Sequence, residues 1–274
     1  MYRKNKLSID SKIHKQLTTK LHDSENMKIK LMTYNIHRAI GLDRRFKPER
    51  IVEIINDIKP DIALLQEVDE GVPRSRELNL AKEVAQLCGF KHYKLGHNVS
   101  LKKGYYGNAT LSKFPISKER NINLTIDNKK RRGCQHTTIN ITKNNLTIPV
   151  EVFNLHLGLS AKERQKQAGI LSHCEEYLSI QPNSPCIVAG DFNDWRSLLR
   201  ALFIEGLGFE CATDSTKRWG ESAIKTYPSF APRGGLDRVY YKGKMDFIKA
   251  KRYDKNSAMI ASDHLPIVVE FELS

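Results

Sequence analysis

The sequence predicts an α/β protein in which two mixed β-sheets pack face to face with helices on the outside. Strand-like and helix-like segments alternate in the first third of the chain. Hairpin-joined strands fill its middle, and three further strands close it. Pure βα repetition gives one parallel sheet, whereas βα units interrupted by hairpins favour two mixed sheets that share a core. The chain has 274 residues, 40% of them hydrophobic, which is enough to build that core.

Residues 1–26 show no sustained periodicity and read as an extension, leaving residues 27–274 as one domain. KIKLMTYNI (28–36) alternates as a strand does. Pro48 opens a helix, PERIVEIINDIK, whose Ile51, Ile54, Ile55 and Ile58 share one face, and Pro60 stops it. DIALLQEV (61–68) is a short apolar strand reaching Glu67, and Glu77–Cys88 an amphipathic helix with Gly89 beyond its end. YGNATLSKF (106–114) and CQHTTINI (134–141) read as strands. Thr142–Asn145 is a hairpin turn leading into LTIPVEVFNLHL (146–157). Ser160 and Glu163 form a capping box heading a long helix, roughly Ala161–Leu178. CIVAGDFN (186–193) is a buried strand breaking into a polar loop, and Ser197–Glu205 a short helix closed by Gly206. GLDRVYYKG, MDFIKAKRY and LPIVVEFEL are the closing strands.

Bulk composition narrows the function classes. No apolar run approaches the roughly 20 residues of a membrane-spanning helix. The polar N-terminus lacks the apolar segment of a secretory signal, so the cytoplasm is the expected location. Five scattered cysteines with no C-x-x-C pair argue against a disulfide framework and a thiolate zinc site. The net charge of +14 favours polyanionic partners, nucleic acid or an anionic lipid surface. Basic clusters such as Lys129–Arg132 are expected on solvated loops.

Polar residues collect at strand ends: Asn35, Glu67, His156, Asp191 with Asn193, Asp237, and Asp263–His264. Each alone has an ordinary reading as a solvated carboxylate, a turn former or a satisfied core histidine. Together they match phosphodiester hydrolysis. Glu67, with Asn35 and Asp263, offers oxygen ligands to a hard cation such as Mg²⁺, or Mn²⁺ in its place. Asp191 suits activation of the attacking water. His156, His264 and Asn193 suit the charge that builds on phosphoryl oxygens, and Asp237 suits orientation of His264.

The ordered pieces TYNIH (33–37), LLQEV (64–68), GNATLSKFPI (107–116), NLHLG (154–158), GDFN (190–193), LDRVY (236–240) and SDHLPI (262–267) resemble the endonuclease/exonuclease/phosphatase superfamily over about Lys28 to Leu273. The resemblance implies a four-layered α-β-β-α sandwich of the deoxyribonuclease I type and a metal-dependent phosphodiesterase. It places Asn35, Glu67 and Asp263 at the metal. His156, Asp191, Asn193, Asp237 and His264 fall in the catalytic group, with Asn108 and Arg132 toward substrate. His37 stands where the exonuclease III-type repair enzymes usually carry an acid, and His156 sides with the deoxyribonuclease I and sphingomyelinase branches. Nucleic acid is the expected substrate. A phospholipid or phosphoinositide head group is the alternative, since the basic loops with Trp219, Tyr227 and Phe230 suit an anionic membrane surface equally well; a non-catalytic basic protein bound to nucleic acid or a membrane surface is the alternative of another class.

Overall fold

A computed structural model describes residues 27–214, 223–255 and 257–274. The expected N-terminal extension and Trp219 lie outside the described residues. The strands, in chain order, are β1 (Met27–Asn35), β2 (Ile62–Glu70), β3 (His92–Ser100), β4 (Tyr105–Ser112), β5 (Ile116–Asn123), β6 (Gly133–Lys143), β7 (Leu146–His156), β8 (Cys186–Asp191), β9 (Glu210–Cys211), β10 (Asp237–Lys242), β11 (Met245–Arg252) and β12 (Ile267–Leu273). The helices are α1 (Pro48–Ile58), α2 (Leu80–Leu87), α3 (Ala161–His173), α4 (Glu175–Leu178) and α5 (Ala258–Ala261).

Two mixed six-stranded sheets result, ordered β11-β12-β1-β2-β4-β3 and β5-β6-β7-β8-β10-β9. Three apolar layers hold them. Ile29, Leu31, Ile62, Leu64, Val150, Val152, Ile187, Ala189 and Val239 fill the space between the sheets. The apolar stripe of α1 (Ile51, Ile54, Ile55, Ile58) joins α2 against the outer face of the first sheet, packing on Met32, Tyr34, Ala63 and Leu65. Ala168 and Leu171 of α3 cover Phe153, Leu155 and Val188 on the outer face of the second. This is the expected four-layered sandwich.

The period of two along a strand decides which polar residues meet. Odd positions of β1, β8 and β10 and even positions of β2 and β7 are brought to one side by the pleat. Ile29 and Leu31 face the inter-sheet core, and so Thr33 and Asn35 continue on that face. Val150 and Val152 lead to Asn154 and His156, Ile187 and Ala189 lead to Asp191, and Val239 shares its face with Asp237. Near this end the apolar filling gives way to amides: Gln66 Nε2 donates to Asn154 Oδ1 at 2.8 Å, and Asn154 Nδ2 donates to the carbonyls of Leu65 and Ala109.

Several expected boundaries shift. The helix expected over Ala161–Leu178 breaks at Cys174, whose backbone is extended (φ −74°, ψ 153°). In its last turn Ser172 Oγ and His173 Nδ1 both reach the Gly169 carbonyl, a local side-chain alternative to the ladder. The second helix starts at Leu80 rather than Glu77, capped by Asn79, whose side chain accepts from the Lys82 N–H. The helix expected over Ser197–Glu205 is instead a π-helical turn at Leu202–Gly206. The β6–β7 hairpin turns where expected, with Asn144 and Asn145 both at positive φ (50° and 64°), as a twist-matched two-residue turn requires.

Candidate active site

A cleft of about 390 Å³ opens where the polar strand ends converge, lined among others by Asn35, Glu67, His156, Asp191, Asn193, Asp263 and His264. Strand register explains the convergence. Asn35 lies beside Gln66 in the parallel β1–β2 pair, His156 beside Asp191 in the parallel β7–β8 pair, and Asp237 opposite Asp191 in the antiparallel β8–β10 pair.

Glu67 reaches the cleft by a different device. Ala63 and Leu65 point to the helix-covered face, and unbroken alternation sends residue 67 there as well. The β2–β4 register slips between Leu65 and Val68, and Glu67 takes φ 58°. One residue is thereby inserted, Val68 resumes the helix-facing side, and the Glu67 carboxylate is turned out into the cleft. A left-handed conformation at a non-glycine strand residue costs energy that the flanking ladders must hold in place. Asn193, at φ 51°, is the second such residue in the cleft; its N–H donates to Asp191 Oδ1 at 2.9 Å and its Nδ2 to the Leu157 carbonyl at 3.0 Å.

Asp191 is the hub. Its Oδ2 accepts from Asn35 Nδ2 at 3.1 Å and lies 3.4 Å from His156 Nε2 and 3.7 Å from His264 Nε2. Burial pushes its carboxyl up to about 6, His264 drawing it down and Asp237 raising it further. The two histidines are driven in opposite directions. Burial, with Arg132, His264 and Lys130 nearby, holds His156 well below the usual histidine range, so it is neutral. Burial also opposes charge on His264, but Asp237 and Asp191 outweigh it and raise its pKa to about 10. Asp237 Oδ2 accepts from His264 Nδ1 at 2.8 Å and from Thr226 Oγ1 at 2.5 Å, which fixes the ring and leaves Nε2 toward Asp191. Ser262 Oγ donates to the Asn35 carbonyl at 2.7 Å, tying the loop of Asp263 and His264 to the end of β1.

Arg132 is 5% exposed, lines the cleft, and carries a buried Nε–H with no acceptor among the described residues. A buried, unsatisfied guanidinium N–H in a cleft marks the place of an anion. Lys129 and Lys130 line the cleft beside it, so this basic run is not the wholly solvated loop expected from sequence. Asn108, expected to face substrate, sits behind the cleft. It is 1% exposed, and its Nδ2 donates to the carbonyls of Gly133 and Asn154, bracing the two sheets. The loop after β7 is gripped from α3: Gln167 Oε1 accepts from the Gly158 N–H at 2.8 Å, and a side chain at Gly158 would collide with the Glu163 carboxylate.

Two groups of atoms present themselves to a cation. Asp191, Asp237 and His264 place one ligand atom each within 4.8 Å of one another. Within that group, however, His264 Nδ1 is already hydrogen-bonded to Asp237 Oδ2 at 2.8 Å, and Asp237 Oδ2 also accepts from Thr226 Oγ1. Glu67, Asn35 and Asp263 offer hard oxygen donors, and Arg38 Nε stands 3.7 Å from the Glu67 carboxylate without a hydrogen bond. That donor set fits a Mg²⁺-like ion.

Gln66 and Asn154, which brace the cleft, carry no mark in the sequence beyond lying next to site residues. Lys130, Leu159 and Trp195 line it from loops that periodicity does not report, and Glu163 from the first turn of α3.

The chain has relatives over most of its length. A protein of Escherichia coli K12, YbhP, whose function is uncharacterized, is 28% identical over 261 residues, covering 91% of this chain and 98% of its own. A truncated Caenorhabditis elegans TDP2 superposes with a TM-score of 0.61 at 21% identity, covering 90% of this chain and 98% of the other. A mannosyl-6-phosphatase of Bacteroides thetaiotaomicron gives 0.66 at 17% identity, covering 89% and 99%. These two likenesses are of fold. The sequence pattern of the Endonuclease/Exonuclease/phosphatase family matches residues 32–264, and this chain belongs to that family of phosphoester hydrolases.

Proposed function

We propose that the protein is a divalent-metal-dependent phosphodiesterase acting on nucleic acid, cutting within the strand. The observation that carries the reading is the meeting of Glu67, His156, Asp191, Asn193 and His264 around one cleft that also holds the unsatisfied Arg132.

Glu67, Asn35 and Asp263 would hold the cation, which when bound neutralises charge on the phosphoryl and leaving oxygens. The remaining work falls to side chains. Asp191 accepts a proton from the attacking water, whose oxygen bonds to phosphorus as the ester P–O bond breaks. Its pKa, raised to about 6 by burial, leaves it ionised yet basic near neutral pH. Imidazolium His264 and neutral His156 flank Asp191 and donate to the phosphoryl oxygens, His264 contributing charge and His156 a neutral N–H. Asn193 adds an amide donor, and Asp237 positions His264 without touching substrate. The cationic Arg132 and Lys130 favour a substrate with more than one phosphate, and the +14 net charge favours a polyanion over a small phosphomonoester.

The test is incubation with plasmid DNA, with mixed phospholipids and with mannose 6-phosphate, each in Mg²⁺ and in EDTA. Mg²⁺-dependent nicking of plasmid, absent in EDTA, is expected. Release of a phosphorylated head group, or of inorganic phosphate alone, would assign the cleft to a lipid or to a monoester instead.

A further inference from the structure

Beyond the phosphate-binding residues, the cleft carries an apolar wall. Trp195 is 53% exposed and Leu159 is 75% exposed, and both line the cleft. Their positions are built. Arg164, 4% exposed, donates from Nη1 to the Leu159 carbonyl at 2.6 Å and from Nη2 to Asp194 Oδ1 at 3.4 Å, so one buried guanidinium pins the loop after β7 to the loop after β8. The Trp195 ring meets Tyr227 edge-on, with centroids 5.5 Å apart and planes at 89°. It also lies directly over Gly234, where an added Cβ would come within 2.6 Å of the indole. A large aromatic ring fixed on two sides and left half open in a cleft is a surface for a ligand.

The neighbours are linked by successive contacts within one cleft. Lys130 and Arg132 lie beside His156, His156 and His264 both face Asp191, His264 packs on Tyr227 with centroids 5.0 Å apart, and Tyr227 carries Trp195. A substrate whose phosphorus sits over Asp191 therefore meets both cations and an aromatic plane within the same cleft. A nucleotide strand has this composition, with phosphates at regular intervals and a planar base attached to each. In a duplex the bases are stacked on one another and their faces are closed to protein.

Resting on the nuclease reading above, we infer that Trp195, with Leu159 in the same cleft wall, is a stacking platform for an unpaired nucleobase, while Lys130 and Arg132 hold a backbone phosphate in that cleft, so that the enzyme takes single-stranded nucleic acid. Base stacking on an aromatic side chain tolerates any sequence because every base has a π-face. The preference is accordingly for strandedness and not for sequence.

The experiment is equilibrium binding in EDTA, which stops turnover, of a labelled 12-nucleotide oligo(dT) and of a 12-unit strand of the same phosphodiester backbone lacking bases. Wild type should bind oligo(dT) roughly tenfold more tightly than the base-free strand. Trp195→Ala should abolish that difference and leave the base-free strand unchanged, and Trp195→Phe should restore most of it. Lys130→Ala should weaken both strands equally. Equal binding of the two strands by wild type, or an equal loss on both in Trp195→Ala, overturns the stacking role while leaving the phosphodiesterase reading intact. Loss of phosphatidylserine-vesicle binding in Trp195→Ala with oligo(dT) unaffected also overturns it and gives the wall to lipid. If wild type binds neither strand yet hydrolyses a phosphomonoester, the nucleic-acid reading itself fails.

Discussion

At the scale of single residues, the site depends on groups of one chemical type being driven apart by their surroundings. His156 and His264 lie on either side of the same carboxylate, yet Asp237 stands behind His264 and cations stand behind His156. One ring is charged and the other neutral, which gives two donors of different strength. Asp191→Ala should lower kcat by roughly 10²–10⁴-fold, the range of a lost general base, while circular dichroism shows the fold retained. Near-wild-type turnover would remove Asp191 from its role. Asp237→Asn keeps the shape of the His264 partner but withdraws its charge. It should therefore reduce kcat with little change in KM, and steady-state kinetics on an oligonucleotide distinguish this from a lost binding contact. These residues were legible in the sequence because each falls at the end of an apolar strand. Arg132 was legible as a basic residue, but its burial was not, since it follows from where the loop before β6 folds back over the cleft.

At the scale of elements, strands carry the site and turns set their register. The bulge at Glu67 converts a residue that alternation assigns to the helix side into one that faces the cleft. Its presence is not readable from LLQEV, because a bulge is a property of two paired strands. Strands β3 and β5 escaped the sequence reading for a related reason. Both are sheet edges that bury little (Ile122, 8% exposed, is the one buried side chain of β5), so HYKLGHNVS and ISKERNIN lack a strong apolar alternation. The β6–β7 hairpin shows the opposite case, a local signal that fixes a distant result. Ten residues separate the Asn144–Asn145 turn from His156, and the turn lies at the far end of the strand from the cleft. Asn145→Val forces a β-branched residue into positive φ and should cost about 1–3 kcal/mol in denaturant unfolding. Turnover of the folded fraction should stay unchanged, and a parallel loss of kcat would mean that the turn communicates with the site.

At the scale of the molecule, two sheets meet face to face, and their inner faces change from apolar to amide to ionisable toward one edge. The four-layered arrangement was legible in the mixture of βα units and hairpins, and the family from the order of its motifs. The wall formed by Leu159 and Trp195 was not, because it depends on Arg164 joining two loops that sequence leaves far apart. The excess of positive charge acts over the whole surface. If Lys129, Lys130 and Arg132 engage about three phosphates, the logarithm of single-strand affinity should fall against the logarithm of salt concentration with a slope of roughly −2, measurable by anisotropy titration. A flat salt response would show that the basic cleft wall does not hold a phosphate backbone.

The most direct measurement of the central claim is a crystal structure of the protein soaked with Mn²⁺ and phosphate, with Mn²⁺ located by its anomalous signal. The account predicts one Mn²⁺ peak against the Glu67 carboxylate, with Asn35 and Asp263 beside it, and a phosphate within hydrogen-bond reach of His156, Asn193 and His264. Mn²⁺ held by Asp237 and His264 with Glu67 empty, or phosphate bound outside this cleft, would contradict it.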